Sequence, residues 1–91
     1  MNFPSEAMFQ SNLHGIKFLQ TKIDLANTFL DLGETSGEQA HQEQSRRDAD
    51  TAYRSILHFL LKLQLTAEES TNFARDIALL RTRLLAAAIA L

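Results

Sequence analysis

Apolar residues recur every three or four positions along three segments of the chain, the spacing that places side chains on one face of an α-helix. No segment alternates apolar and polar residues for long enough to predict a β-strand. Only three glycines and one proline interrupt the pattern. The pattern predicts an all-α chain, with helices over about 5–32, 36–64 and 67–90.

The first predicted helix carries two apolar ridges. The main ridge steps by threes and fours and should face the core: Phe9, Leu13, Ile16, Leu19, Ile23, Ala26 and Leu30. A second ridge lies to one side of it: Phe18, Leu25, Phe29 and Leu32. Gly15 predicts a bend or a frayed start. Gly33 is placed to end the helix in the left-handed conformation.

The second predicted helix begins with Thr35 and Glu38, which are spaced as a capping box. Its first half, EQAHQEQSRRDAD, is too polar to bury a face, so we expect residues 38–48 to be solvated. The pattern leaves open whether residues 34–48 are helical or flexible. The second half carries a broad apolar face: Ala52, Tyr53, Ile56, Phe59, Leu60 and Leu63, widened by Leu57 and Leu61.

The third predicted helix begins with another capping-box pattern, Thr66 and Glu69. Its inward stripe consists of Phe73, Ile77, Leu80, Leu84 and Ala87, which leaves Arg83 in water. Both joints between helices are short, and short joints make consecutive helices antiparallel neighbours. We therefore expect one helical domain over residues 1–91, an antiparallel up-down-up three-helix bundle.

Charge and composition exclude several classes of function. Nine basic against eleven acidic residues give a net charge of -2, without the positive field that nucleic-acid binding needs. The chain has no cysteine, and its amino terminus has no features of a secretory signal, so we expect a cytoplasmic location. The third helix mixes arginines with a wide apolar face, as membrane-surface helices do. The bundle needs that face for its own core, so we do not expect membrane binding.

Candidate catalytic chemistry is sparse. His58 and Lys62, in HFLLK, resemble the exposed histidine and nearby lysine of histidine phosphotransfer domains, which implies phosphotransfer as an alternative function. Glu38 and His41 match the Glu-x-x-His spacing of di-iron bundles, but the motif occurs once and a di-iron site needs two. No catalytic triple and no glycine-rich loop is evident. We therefore expect no enzyme activity, no metal and no cofactor.

Residues 26–63 are similar to helical-hairpin families. ANTFLDL and DADTAYRSILHFLLKL resemble a tetratricopeptide repeat, with Ala26, Phe29, Ala49 and Tyr53 at its small and aromatic positions. The three-helix layout with AYRSIL in its middle helix also resembles a microtubule-interacting-and-trafficking domain. Both resemblances imply a protein-interaction role, and the second implies a groove that takes a partner helix.

The apolar surplus points to the same role. The main stripes of the three helices fill the core, and seven further apolar residues remain: Phe18, Leu25, Phe29 and Leu32 on the first helix, with Leu79, Leu85 and Ile89 on the third. We expect these residues to bind protein, either in a homodimer built from the first or third helix or as a dock for a foreign amphipathic helix.

Overall fold

The computed structural model describes residues 4–87, with side chains from residue 13 onward. It contains three α-helices: α1 (Pro4–Thr35), α2 (Gln39–Leu60) and α3 (Ala67–Ala86). No strand occurs within the described range, so the all-α class is confirmed. The predicted extension of the third helix to residue 90, the side chain of Phe9 and the whole of Ile89 lie outside the described residues.

The helices form an up-down-up bundle, as predicted. Gly33, near the end of α1, lies beside Ser45 near the start of α2, and Gly15 lies beside Leu63 just after α2, so these two helices are antiparallel. Arg83, near the end of α3, bonds to the last turns of α1, so α3 runs parallel to α1. The bundle is elongated, 60 × 19 × 17 Å.

Among the side chains that the structure describes, twelve are buried and form one core, four from each helix. They are Leu19, Ile23, Ala26 and Leu30 of α1, Ala49, Ala52, Tyr53 and Ile56 of α2, and Phe73, Ile77, Leu80 and Leu84 of α3. The inward stripes predicted for α1 and α3 are thus confirmed over their central turns. Leu13, which was predicted to face the core from the first helix, is exposed. Leu57 is exposed and Leu61 is 85 % exposed, so the apolar face predicted for the second helix is too wide.

The glycines of α1 have a different role from the predicted one. Helix α1 continues through Gly33 to Thr35, and Gly33 is not in the left-handed region. A Cβ at Gly33 would lie 3.4 Å from the Cβ of Ser45, and a Cβ at Gly15 would overlap the side chain of Leu63. Both glycines are helical residues that lie close to another segment of the chain. Gly33 is approached by Ser45 within α2, and Gly15 is approached by Leu63, which follows α2. The predicted left-handed end at Gly33 is wrong, and Gly15 lies within a continuous helix.

Ser36 makes the polar contacts of the joint between α1 and α2, while Glu38, the N-cap residue of α2, makes no side-chain cap hydrogen bond. The predicted capping box of Thr35 and Glu38 is wrong, because the Thr35 hydroxyl donates backwards to the carbonyl of Asp31 at 3.0 Å. The Ser36 hydroxyl accepts from the Glu38 amide at 3.2 Å, and Gln42 Nε2 donates to the Ser36 carbonyl at 2.7 Å. Helix α2 therefore begins at Gln39, and residues 39–48 are helical although mostly exposed.

The joint between α2 and α3 is longer than predicted, because α2 ends at Leu60 rather than near residue 64. The chain tightens there, with the Lys62 amide donating to the Phe59 carbonyl at 2.9 Å. Leu63 and Leu65 then turn inward and pack against the core. The capping box at the start of α3 is confirmed: the Glu69 amide donates to Thr66 Oγ1 at 3.1 Å, and the Thr66 amide donates to Glu69 Oε1 at 2.9 Å.

A polar clamp joins α3 to α1. Arg83 was predicted to lie in water, but its side chain is only 32 % exposed and spans the groove between these helices. Its guanidinium donates to Asn27 Oδ1 at 2.8 Å, to Asp31 Oδ1 at 2.7 Å and to Glu34 Oε1 at 3.2 Å. The hydrogen bond with Asp31 raises the pKa of Arg83 above its ordinary value, against the opposing effect of partial burial.

Candidate functional site

The second ridge of α1 is divided by the fold. Phe18, Leu25 and Leu32 are 44 %, 37 % and 53 % exposed, as expected for residues outside the core. Phe29 is half-buried and packs against the core instead. The exposed members are spaced by seven residues, so they lie along one line of the helix surface. That line is about 130° around the helix axis from the centre of the core stripe formed by Leu19, Ile23, Ala26 and Leu30.

Three threonines share that line and were not among the predicted site residues. Thr21, Thr28 and Thr35 each follow a large apolar residue by three positions, so they repeat with the same seven-residue spacing. Each hydroxyl donates to the backbone carbonyl four residues earlier, at 2.9, 2.9 and 3.0 Å. The threonine hydroxyls therefore already have a partner within α1, and covering them would not strand a polar group.

We call these six residues the outer strip of α1: Phe18, Thr21, Leu25, Thr28, Leu32 and Thr35. Their spacing is that of the a and d positions of a heptad, the pattern by which one helix packs lengthwise against another. None of its three large residues belongs to the buried core, although Phe18 contacts Phe59 of α2 at the border of the strip. The seven-residue repeat of Phe or Leu followed by Thr was the sequence signal that could have identified it.

The borders of the outer strip differ in chemistry. At one end the Phe18 ring packs against Phe59 of α2, with ring centroids 4.7 Å apart, and Lys22 Nζ lies 5.4 Å from the Phe18 centroid. At the other end Leu32 borders a shallow pocket shared with His41 and Gln44 of α2. The side of the strip next to α2 is therefore aromatic at one end and polar at the other.

The apolar residues predicted on the third helix do not join the outer strip into one surface. Leu79 and Leu85 are both exposed. They are six residues apart, which places them about 120° from each other around the axis of α3. They lie on opposite edges of α3, so they cannot both belong to one interface with the outer strip. Ile89 is outside the described residues.

The residues of the phosphotransfer hypothesis are accessible. His58 is exposed in the last turn of α2. Lys62 is also exposed, but it follows the end of α2, so the two side chains do not share a regular helical turn. Exposure is required for phosphoryl transfer to a histidine, but it is also the common state of a surface histidine.

The Glu-x-x-His pair is a surface contact. His41 Nδ1 lies 3.5 Å from Glu38 Oε2, and both side chains are exposed. Among the described residues no group of three or more His, Cys, Asp or Glu side chains is arranged to hold a metal ion.

The described helices include none long and apolar enough to cross a membrane. The apolar stripe of α3 that resembled a membrane-surface helix is occupied by the core, through Phe73, Ile77, Leu80 and Leu84. Fold and surface together define a small three-helix bundle whose first helix has a second, exposed apolar side besides the one that faces the core. No protein-family model, characterised protein or solved structure matches the chain.

Proposed function

We propose that this chain is a non-enzymatic protein-interaction domain that binds a helix through the outer strip of α1. The observation that carries the proposal is the heptad spacing of Phe18, Leu25 and Leu32 on the side of α1 that the core does not use. A straight, helix-length strip of this kind fits the apolar face of another helix better than it fits a loop or a small molecule. The partner is a second copy of the chain or a helix of another protein.

The size of the strip indicates the strength of binding. The three exposed large side chains offer apolar surface on the order of 300 Å², the size of the patches that often have a function on soluble proteins. Stable complexes bury about 800 Å² on each partner, so the outer strip would form the apolar centre of a larger contact with polar edges. We expect an affinity typical of a reversible complex. The proposal includes a cytoplasmic location, which the absence of cysteine supports.

Site-specific photo-crosslinking in cells tests this function. A photoreactive residue at position 28 lies on the outer strip, and one at position 71 is a matched control, because Thr71 is also an exposed helical threonine bonded to the carbonyl four residues earlier. We expect a covalent adduct with a second polypeptide from position 28 and not from position 71. Changing Phe18 to Ser should remove the adduct. Equal adduct formation from both positions, or none from position 28, would refute the proposal.

The alternative proposal is phosphotransfer at His58, which the exposure of His58 and Lys62 supports. Incubation with acetyl phosphate followed by intact mass measurement tests it. An acid-labile phosphate that is absent from His58→Gln would support this function. An unmodified mass would end it.

A further inference from the structure

We infer that a small pocket between α2 and α3 binds a small aromatic carboxylate. Four residues line this pocket: Tyr53, Arg54 and Leu57 of α2, and Arg81 of α3. None of them belongs to the outer strip, so the site is independent of the proposed function and of its test. The inference follows from hydrogen-bond donors that line the pocket without a protein acceptor.

Tyr53 supplies the first of these donors. Its side chain belongs to the core, and only 7 % of the residue remains exposed. Across the described side chains, every enclosed polar atom has a hydrogen-bond partner. The Tyr53 hydroxyl has no partner among the described residues, so it is not enclosed and is the part of this buried residue that opens to the pocket. A fixed ring with an uncommitted hydroxyl can donate to a bound ligand without reordering the core.

Two guanidinium groups supply the other donors. Arg54 uses only its Nε, which donates to both carboxylate oxygens of Asp50 at 3.2 Å. The two terminal nitrogens of Arg54, and the whole guanidinium of exposed Arg81, have no acceptor within the described part of the chain. Arginine presents its N–H groups as a flat fork that matches the two oxygens of a carboxylate. The lining residues thus include three donor side chains and no carboxylate.

The net charge beside the pocket favours a monoanion. Arg54 and Arg81 contribute two positive charges, and Asp50, which is paired with Arg54, offsets one of them. One positive charge in excess complements a carboxylate. A phosphate monoester is matched less well, since it carries about 1.5 to 2 negative charges at neutral pH.

The wall and the volume of the pocket indicate the rest of the ligand. Leu57 is 40 % exposed and lies one helical turn from Tyr53, so its side chain adds apolar surface next to the donors. The cavity has a volume of about 230 Å³, which is smaller than the roughly 300–1,000 Å³ of pockets that enclose drug-sized ligands. A single aromatic ring that carries a carboxylate fits this combination of apolar wall, donors and size.

An NMR titration of the full chain with sodium benzoate at constant ionic strength tests the inference. We expect saturable shifts of the amides around Tyr53 and Arg81, with a dissociation constant on the order of 1 mM, because a small ligand makes few contacts. Neutral benzamide, which has the same shape, should not bind. Shifts that do not saturate, or that benzamide reproduces, would overturn the site. Tighter binding of inorganic phosphate than of benzoate would overturn the carboxylate as its ligand.

Variants locate the binding in the pocket. Arg81→Met and Tyr53→Phe should each raise the dissociation constant about tenfold, since each removes a hydrogen bond to a charged group, and Tyr53→Phe keeps the ring in the core. Arg47→Met is the matched control, because Arg47 is an exposed arginine of α2 outside the pocket, 3.7 Å from Glu43. Circular dichroism shows whether each variant keeps its helices. Equal weakening by Arg81→Met and Arg47→Met would indicate a general effect of charge and contradict the inference, as would an unchanged constant for Tyr53→Phe.

Discussion

Ile56 and Arg54 lie two residues apart on α2 and face opposite environments. Ile56 is fully buried in the core, and Arg54 is exposed, with its Nε 3.2 Å from Asp50 Oδ1. We predict that Ile56→Ala lowers the free energy of unfolding by about 2 to 5 kcal/mol, since it leaves a cavity. Arg54→Ala should cost less than about 1 kcal/mol, because exposed ion pairs contribute little. Denaturant melts measure both, and equal losses would contradict the assignment of the faces.

Single residues also show what the sequence can and cannot predict. Ile56, Leu80 and Leu84 were predictable as core because periodicity within one helix reports which side is buried. The roles of Gly33 and Arg83 were not, because each depends on a neighbour distant in the chain: Ser45 approaches Gly33, and Asn27 and Asp31 bind Arg83. Local spacing carries no information about which distant side chain will lie opposite.

At the scale of the element, α2 consists of two unlike halves. Residues 39–48 have no buried side chain, whereas residues 49–60 contribute Ala49, Ala52, Tyr53 and Ile56 to the core. We predict that amides in residues 39–48 exchange with deuterium faster than those in 49–60, because few packed contacts oppose local opening of the first half. Uniformly slow exchange would mean that another chain covers the polar half.

The end of α2 shows why helix boundaries were harder to predict than helix faces. The leucines at 57, 60, 61 and 63 continue a helical pattern past the true end. In the structure Leu61 is left in water, and Leu63 reaches the core only from the non-helical joint beside Gly15. Burial of Leu63 and Leu65 from the joint offsets the loss of a further helical turn, and no local signal distinguishes these two outcomes.

The outer strip was predictable in part for the same reason. Phe18, Leu25 and Leu32 stood out as surplus once the core was assigned. Phe29 was grouped with them in the sequence, but in the structure it lines a pocket together with Leu30, Gly33 and Arg83. The seven-residue repeat of the threonines is visible in the sequence, but the bonds of their hydroxyls to backbone carbonyls of α1 appear only in the structure.

For the whole molecule, the attachment of α3 includes the Arg83 clamp as well as the core. We predict that Arg83→Met lowers the free energy of unfolding by about 1 kcal/mol at low salt, as a surface network of charges does. The loss should shrink in about 1 M salt, where screening acts within about 3 Å. Arg75→Met is the control, since Arg75 pairs with no acidic side chain among the described residues except its neighbour Asp76, at 3.8 Å. Equal losses for both variants in denaturant melts would mean that the Arg83 clamp does not contribute to stability.

The pH dependence of the clamp follows from the raised pKa of Arg83. A group whose pKa is higher in the folded state contributes its full stability below its unfolded pKa and loses it only as the pH rises through the folded value. For an arginine both of these pKa values lie at strongly alkaline pH. Titration of Arg83 itself should therefore leave the contribution of the clamp unchanged between about pH 5 and 9.

The contacts at the two glycines of α1 also show how α1 and α2 are aligned. Gly15 and Gly33 are 18 residues apart, and the residues they approach, Leu63 and Ser45, are 18 residues apart as well. The antiparallel chain segments therefore have the same register at both contacts. Sliding α2 along α1 by one helical turn, about 5.4 Å, would move Leu63 away from Gly15 and against a position of α1 that carries a side chain. Misaligned pairings are therefore opposed at the Gly15 end, where only a residue without a Cβ leaves room for Leu63.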